Sequence, residues 1–495
     1  MNLATSTPTS IGVKALRGAA ALGVRQVLVQ GLNALTGIVL ARLLSPSDFG
    51  LFGIITFVLT FLVAFGDVGL GASLIREPEE PSEEDYRAVF TAQQSLVALV
   101  VIVAWFVSPL LARAYHLPPH QAILFRLVAL SLLFTSFQVI PSVRLERHLE
   151  FQKLAAVEVT QSFVYNGVTI GAAFAGLGPL SFALGLLSRS FTGAIIINWV
   201  SPWRMGWRWD LSRIRKHLRF GIPYQGIAFT SLLKDSITPV FVGLVIGTSE
   251  VGYINWATMV AAYPVLALMV LQRVYLPAFA RMQAHKERLG EFVEKVILAT
   301  NAVVAPLAIL TFVLIRPITV TVYGAKWLVA IRLFRFFWLA NIFVPTATPV
   351  VGLLNALGRS RTTLGFAAGW MFGTWVLGVP LILLLGGVGF ALANFLVTLS
   401  APILFRVAQR EVKFRILRVI LPGWVLSGAI GLAIYLIQAV WQFRSLPALV
   451  CYGAAGVLLF GLGMMRLHRS EITKLWISLR ANQPSELAAS VPHVL

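Results

Sequence analysis

Fourteen apolar stretches, each long enough to cross a bilayer and separated by no more than about twenty residues, run from Gly18 to Met465. A hydrocarbon core of about 30 Å takes about 20 apolar helical residues to span, so this spacing leaves no room for a folded aqueous domain. In lipid every backbone polar group must be satisfied internally, which apolar runs of this length achieve as helices. The spacing predicts an all-α integral membrane protein with about 14 transmembrane helices. Composition agrees: 58% of the 495 residues are hydrophobic and 12% charged, against about 45–50% and about 25% in soluble domains. The net charge of +20 would suggest nucleic acid as the partner of a soluble chain. Here most of it sits in short loops on one side of the membrane, so it reads as topology and no nucleic acid is expected.

Spans are predicted near residues 18–40, 49–75, 88–112, 122–141, 154–175, 178–200, 220–246, 254–279, 296–322, 331–354, 362–385, 387–408, 419–440 and 447–465. With the amino terminus cytoplasmic, the inside segments carry about 28 of the 40 basic residues and clearly outside loops about four, as the positive-inside rule requires. Both termini are then cytoplasmic. The first apolar run reads as a retained span, not a cleaved leader.

The hairpin after span one reads Ser47-Asp48-Phe49-Gly50-Leu51, and that after span seven reads Ser249-Glu250-Val251-Gly252-Tyr253, an offset of 202 residues. Each copy puts an acid in the first turn of a helix and a glycine where helices approach. An even number of spans separates the copies, so both have the same orientation and the chain reads as two parallel six-helix lobes. The expected domains are an amino-terminal lobe (1–200), a basic cytoplasmic linker (201–219), a carboxy-terminal lobe (220–409), an additional helix pair (410–466) and a cytoplasmic tail (467–495). The linker interleaves Trp203, Trp207 and Trp209 with Arg204 and Arg208, the pattern of an interfacial anchor.

Six charges fall well inside spans: Arg25, Asp67, Arg189, Lys234, Asp235 and Arg273. Charge at depth is costly and commonly lines a polar path. At about 1.5 Å per residue, Arg25, Asp67 and Arg273 share a level roughly 10 Å above the cytoplasmic face, where Arg25 and Asp67 stand on consecutive helices and are expected to pair. The bland alternative for each is a buried pair that locks helices, or an arginine snorkelling to the interface. Arg25, Arg189, Lys234 and Arg273 are the candidate substrate-binding residues, and their sign points to an anionic cargo. Asp67 and Asp235 are the candidates for pairing or ion coupling, Asp235 being favoured because Asp67 has Arg25 to hold it. Arg126, Glu158, Arg316, Arg332 and Arg335 lie near span ends, where snorkelling accounts for them.

No catalytic chemistry is visible, and no Walker motif provides for ATP, so neither enzyme activity nor a cofactor is expected. His116 and His120 flank two prolines and have no further ligand nearby, so no metal site is expected. The single cysteine, Cys451, forms no intramolecular disulfide.

The stretch Ala41-Arg42-Leu43-Leu44-Ser45-Pro46-Ser47-Asp48-Phe49-Gly50-Leu51-Phe52, with Gly66-Asp67-Val68-Gly69-Leu70-Gly71 after it, resembles the amino-terminal signature of bacterial polysaccharide flippases. These belong to the multidrug, oligosaccharidyl-lipid and polysaccharide exporter superfamily. The resemblance is close over about the first 75 residues and weaker over the rest. It implies a V-shaped pair of lobes in the bacterial inner membrane that flips an undecaprenyl-pyrophosphate-linked oligosaccharide by alternating access. Basic residues of the first, seventh and eighth spans would contact the pyrophosphate, and Arg25, Lys234 and Arg273 stand on those spans. Membrane lipids, a polysaccharide polymerase and a chain-length regulator are the further partners it suggests. Two rivals remain: a cation-coupled multidrug exporter of the same fold, and a non-transporting scaffold of a polysaccharide assembly complex.

Overall fold

The computed structural model describes residues 8–266, 268–441 and 445–467; the predicted tail after residue 467 lies outside the described residues. Each predicted span falls on helix, and no strand occurs among the described residues. The first half contains α1 (Pro8–Leu43), α2 (Pro46–Asp67), α3 (Leu70–Arg76), α4 (Glu83–Ala114), α5 (Ala122–Ser136), α6 (Val139–Arg147), α7 (Phe151–Phe174) and α8 (Leu180–Val200). Then come α9 (Leu211–Asp235), α10 (Gly243–Val245), α11 (Thr248–Ala262), α12 (Leu268–Met282), α13 (Lys286–Val313), α14 (Ile315–Ile318), α15 (Ile331–Asn341) and α16 (Val344–Ala356). The last are α17 (Ser360–Leu385), α18 (Gly387–Thr398), α19 (Ala401–Glu411), α20 (Ile416–Trp441) and α21 (Leu446–Leu467).

Among the described residues nine helices are long and apolar enough to cross a membrane, or up to ten when the bent pair Ala325–Asn341 and Val344–Ala356 counts as one span. The chain is a multi-pass membrane protein. Helices α1, α7, α9, α11 and α12 are outside that group among the described residues, although four predicted spans fall on them; of α1, the part Leu28–Leu43 is apolar but short. In α7, Gln152, Lys153, Glu158, Gln161 and Asn166 dilute the apolar run.

Contacts divide the chain into two compact units. The first is Met1–Met259 with Val322–Phe334 and Trp370–Asn394; the second is Val260–Thr321, Arg335–Gly369 and Phe395–Leu495. In the first, α1 packs on α7, α7 on α8, α8 on α5, and α5 on α2 and α4. Leu51, Ile55, Leu124, Val128, Ala183 and Leu186 form the apolar seam among α2, α5 and α8. In the second, α13 is the centre, with α12, α16, α20 and α21 against it. Asn301 on α13 donates to Thr346 Oγ1 (3.1 Å) and accepts from Trp424 Nε1 (2.9 Å), so one buried amide ties α16 and α20 to α13. The final pair α20 and α21 completes that core through Leu310, Leu314, Ile434 and Leu449.

Helix starts follow the sequence locally. Ser45 and Asp48 form a capping box around Pro46, and Ser82 and Asp85 form another at α4. The predicted span 49–75 is interrupted: Val68 (φ 47°) and Gly69 (φ 71°) are both left-handed and end α2. A Cβ on Gly69 would lie 2.5 Å from the Gly221 carbonyl oxygen, so the glycine permits both the bend and the close approach of α9. A second interruption follows α9, where Ile237–Val242 winds as a π-helix. Pro239 has no N–H to continue the α ladder, and Tyr115 donates to its carbonyl (3.1 Å).

The acidic stretch Glu77–Asp85 and the basic linker lock together. Arg213 donates to Asp85 (2.5 Å), Glu84 (2.9 Å) and Asp210 (3.1 Å), Arg208 pairs with Glu84 (3.1 Å) and Lys216 with Glu77 (2.9 Å). Trp203 and Trp207 rest against Phe90 of α4, so the linker is docked on protein as well as rich in interfacial residues. Beneath it His217 is buried with Nδ1 3.0 Å from Ser73 Oγ. Burial pushes the His217 imidazole below its ordinary pKa of 6.5. The folded state then binds fewer protons than the unfolded one just below that value, so stability is fully present above pH ~6.5 and is lost as pH falls through the folded pKa. Thermal melts from pH 7.5 to about 5.5 should show a falling midpoint that flattens in His217→Gln.

Candidate functional site

Helices α1 and α7 run side by side, and polar pairs join them at two heights. Arg25 Nη1 donates to Glu158 Oε2, and Asn166 Nδ2 donates to Asn33 Oδ1 (3.1 Å). Both pairs have a sequence separation of 133, so two helices pointing the same way climb together for eight residues, about 12 Å. Asn166 also bonds the Ser162 carbonyl and hydroxyl on its own helix, which fixes the amide. The guanidinium of Arg25 is incompletely used. Nη2 bonds Gln26 Oε1 (2.9 Å), while the buried Nε has no hydrogen-bond partner among the described residues.

An adjoining face of α7 continues in polar groups. Gln161 Nε2 donates to Gln138 Oε1 (2.9 Å), and Gln138 Nε2 to the Ser190 carbonyl (2.9 Å). This ties α7, α6 and α8 into one hydrogen-bonded layer, in which each buried amide is held by another.

The expected Arg25–Asp67 pair does not form. Arg25 takes Glu158, which the sequence reading had left without a role, and Asp67 Oδ1 instead accepts the Gly71 N–H (3.4 Å). The reason is the left-handed break after α2: it turns the chain beside Asp67 and presents the first amides of α3 to its carboxylate. Arg189 is exposed on α8. Asp235 is exposed at the end of α9, where α winding gives way to π, and it is not without an interacting partner. Lys234 and Arg273 are on helical backbone in α9 and α12, in the first and second units; their side chains lie outside the described residues. No cluster of three or more His, Cys, Asp or Glu suited to a metal occurs among the described residues.

At the other end of the first unit the two copies of the hairpin repeat meet. A Cβ on Gly50 would lie 1.7 Å from the Thr248 carbonyl oxygen, and one on Gly252 would lie 1.9 Å from that of Pro46. Residues 46 and 248, like 50 and 252, differ by the repeat offset of 202, so the contact is reciprocal. Ser47 Oγ and Thr248 Oγ1 are 2.6 Å apart across it. Lys326 Nζ donates to the carbonyls of Arg42 (2.8 Å) and Leu44 (2.6 Å), and Trp327 Nε1 to that of Ala41 (2.9 Å). A cation and an indole thereby satisfy the orphan carbonyls that close α1. Trp327 is fully buried, stacked on Trp256 at 5.7 Å with its edge contacts to Phe49 at 5.3 Å.

A family model described as a polysaccharide biosynthesis protein matches residues 39–332. Among curated relatives, the lipopolysaccharide biosynthesis protein WzxC of Escherichia coli (strain K12) is 25% identical over 466 residues, covering 91% of this chain and 89% of that protein. The succinoglycan biosynthesis transport protein ExoT of Rhizobium meliloti (strain 1021) is 23% identical over 68% of each chain. Among solved structures, the lipid II flippase MurJ in an inward closed conformation superposes with a TM-score of 0.73 at 16% identity, over 92% of this chain and 100% of that one. An inward-facing multidrug resistance transporter of the MATE family gives 0.58 at 15% identity, over 80% and 98%. These two likenesses establish the fold.

Proposed function

Because the chain belongs to the polysaccharide biosynthesis protein family, we propose that it flips a lipid-linked oligosaccharide bearing a pyrophosphate across the bacterial cytoplasmic membrane by alternating access, for capsule, O-antigen or exopolysaccharide synthesis. The observation that carries this reading is Arg25, a cation on a helix read from sequence as a span, with a hydrogen-bond donor left over among the described residues. A guanidinium in such a setting suits phosphate oxygens, to which it presents paired donors. In this reading Arg25, Arg189, Lys234 and Arg273 hold the pyrophosphate, and both termini are cytoplasmic. A polymerase and a chain-length regulator would consume the product on the far side.

The drug-exporter reading needs in-span acids free to attract a cation. Glu158 is paired with Arg25 and Asp67 accepts from a backbone amide, which leaves Asp235 as the exposed one of these three acids and makes the basic residues the larger set. Asp235, exposed at an α-to-π transition of the kind often found at functional sites, is in this reading the acid that couples transport to a gradient.

Deletion of the chain should make the lipid-linked sugar accumulate in the inner leaflet, and a wild-type copy should clear it. Accumulation in the outer leaflet, or none at all, would overturn the flippase reading. In the same cells Asp235→Asn should leave export insensitive to collapse of the gradient; normal export that still responds to collapse removes Asp235 from the coupling role.

A further inference from the structure

The pairing of Arg25 with Glu158 asks why two helices read from sequence as spans are joined by an ion pair at all. Register between α1 and α7 does not need it. Asn33 and Asn166 fix the same offset of 133 with a neutral bond, and the helices pack along their length. Two charges inside a membrane protein cost more to desolvate than two amides, so a pair kept only as a lock is the dearer solution. The pair is also incompletely closed. The Arg25 and Glu158 side chains remain 24% and 32% exposed. Glu158 contacts Nη1 alone, Gln26 occupies Nη2, and Nε is unmet among the described residues. The guanidinium therefore faces a carboxylate with one prong where its planar fork has room for two.

We propose that Glu158 is a built-in stand-in for the phosphate of the substrate, holding Arg25 extended in the empty protein and yielding it when a phosphate arrives. This rests on the flippase reading above and names a positioning residue for its binding step. A phosphate offers several acceptor oxygens and more charge than a carboxylate, so it can take both prongs of the fork once Glu158 and Gln26 yield them. Glu158, partly exposed, turns to water once displaced. When the product leaves, Glu158 recaptures Arg25 and the site returns to its starting state, with no net change in bonds or protons. The stand-in lowers affinity by competing, which keeps an anion-binding site from retaining its cargo.

The test is binding of undecaprenyl pyrophosphate, carrying no sugar, to the purified full chain in nanodiscs, with undecaprenol as the control lipid. Removing an internal competitor raises apparent affinity by the fraction of sites it had blocked, so Glu158→Gln should bind roughly tenfold more tightly than wild type. Arg25→Ala should bind more weakly, and the double variant should match Arg25→Ala, because Glu158 competes for nothing once Arg25 is gone. Glu158→Asp, which keeps the charge on a shorter arm, should fall between wild type and Glu158→Gln and serves if the amide does not fold. A purely structural pair gives the opposite sign: reduced melting temperature with unchanged or weaker binding. If wild type binds the pyrophosphate lipid and neither Glu158 variant tightens, the stand-in is wrong and the flippase reading survives. If wild type prefers neither lipid, the flippase reading fails and the stand-in with it.

Discussion

Polysaccharide export should fall by one to two orders of magnitude in Arg25→Ala, with protein abundance restored to normal by a second change at Glu158. A charge-assisted hydrogen bond contributes about 1.5–3 kcal/mol, and about 1.4 kcal/mol is a tenfold change in an equilibrium constant. Losing the guanidinium therefore removes about 10- to 100-fold of phosphate binding. The substitution also strands Glu158, a partly buried carboxylate whose described counter-charge is Arg25. Removing one member of a buried pair costs more than removing both, so the single variant should be less stable than Arg25→Ala with Glu158→Gln. Export separates the two effects. The double variant should recover abundance on an immunoblot and still fail to export, whereas a pair that matters only for folding would recover both. Arg25→Lys should export at an intermediate rate, since the charge survives without the planar fork. Wild-type export by Arg25→Ala would remove the residue from the substrate path.

Nine or ten of the fourteen spans were legible because apolar run length is a one-dimensional signal, and bilayer thickness converts it directly into helices. The break after Asp67 was half legible: glycines such as those of the run Gly66 to Gly71 suit either close packing or a bend, and the chain uses them for both. The partner of Arg25 was not. Asp67 is near in sequence and on the adjacent predicted helix, while Glu158 lies 133 residues away. A trace did exist, since Arg25 and Asn33 are eight apart and so are Glu158 and Asn166. Matching polar spacings on two spans of the same orientation suggest parallel neighbours, but only once those spans are known to touch. The clasp of the linker on the acidic loop was hidden for a related reason. The positive-inside rule weighs basic residues and largely ignores acids, so it gives topology without saying what the acids of Glu77–Asp85 hold.

The repeat at Ser47 and Ser249 was read as a sign of lobe symmetry, and its contact yields the second large effect, expected in Gly50→Val and Gly252→Val. The obstacle to each new side chain is backbone: the Thr248 carbonyl at 1.7 Å from a Cβ on Gly50, and the Pro46 carbonyl at 1.9 Å from one on Gly252. Neither can rotate aside as a side chain would, so the two hairpins must part, and overpacking of this kind costs about 1–3 kcal/mol. A reporter is already in place. Ser47→Cys with Thr248→Cys replaces two hydroxyls 2.6 Å apart, and Cys451 would first be changed to Ser to remove background. Oxidation should crosslink this pair efficiently in an otherwise wild-type chain and poorly once Gly50→Val is added. In the proposed cycle of alternating access, with both termini cytoplasmic, opening of the outer side is expected to part these hairpins and closing to bring them together. The crosslink should therefore stop export until a reductant is added, and Gly50→Val, unable to close, should lose export without any crosslink. Continued export by the crosslinked protein would mean that the Gly50–Gly252 contact stays shut throughout the cycle, and the path outward would have to open elsewhere.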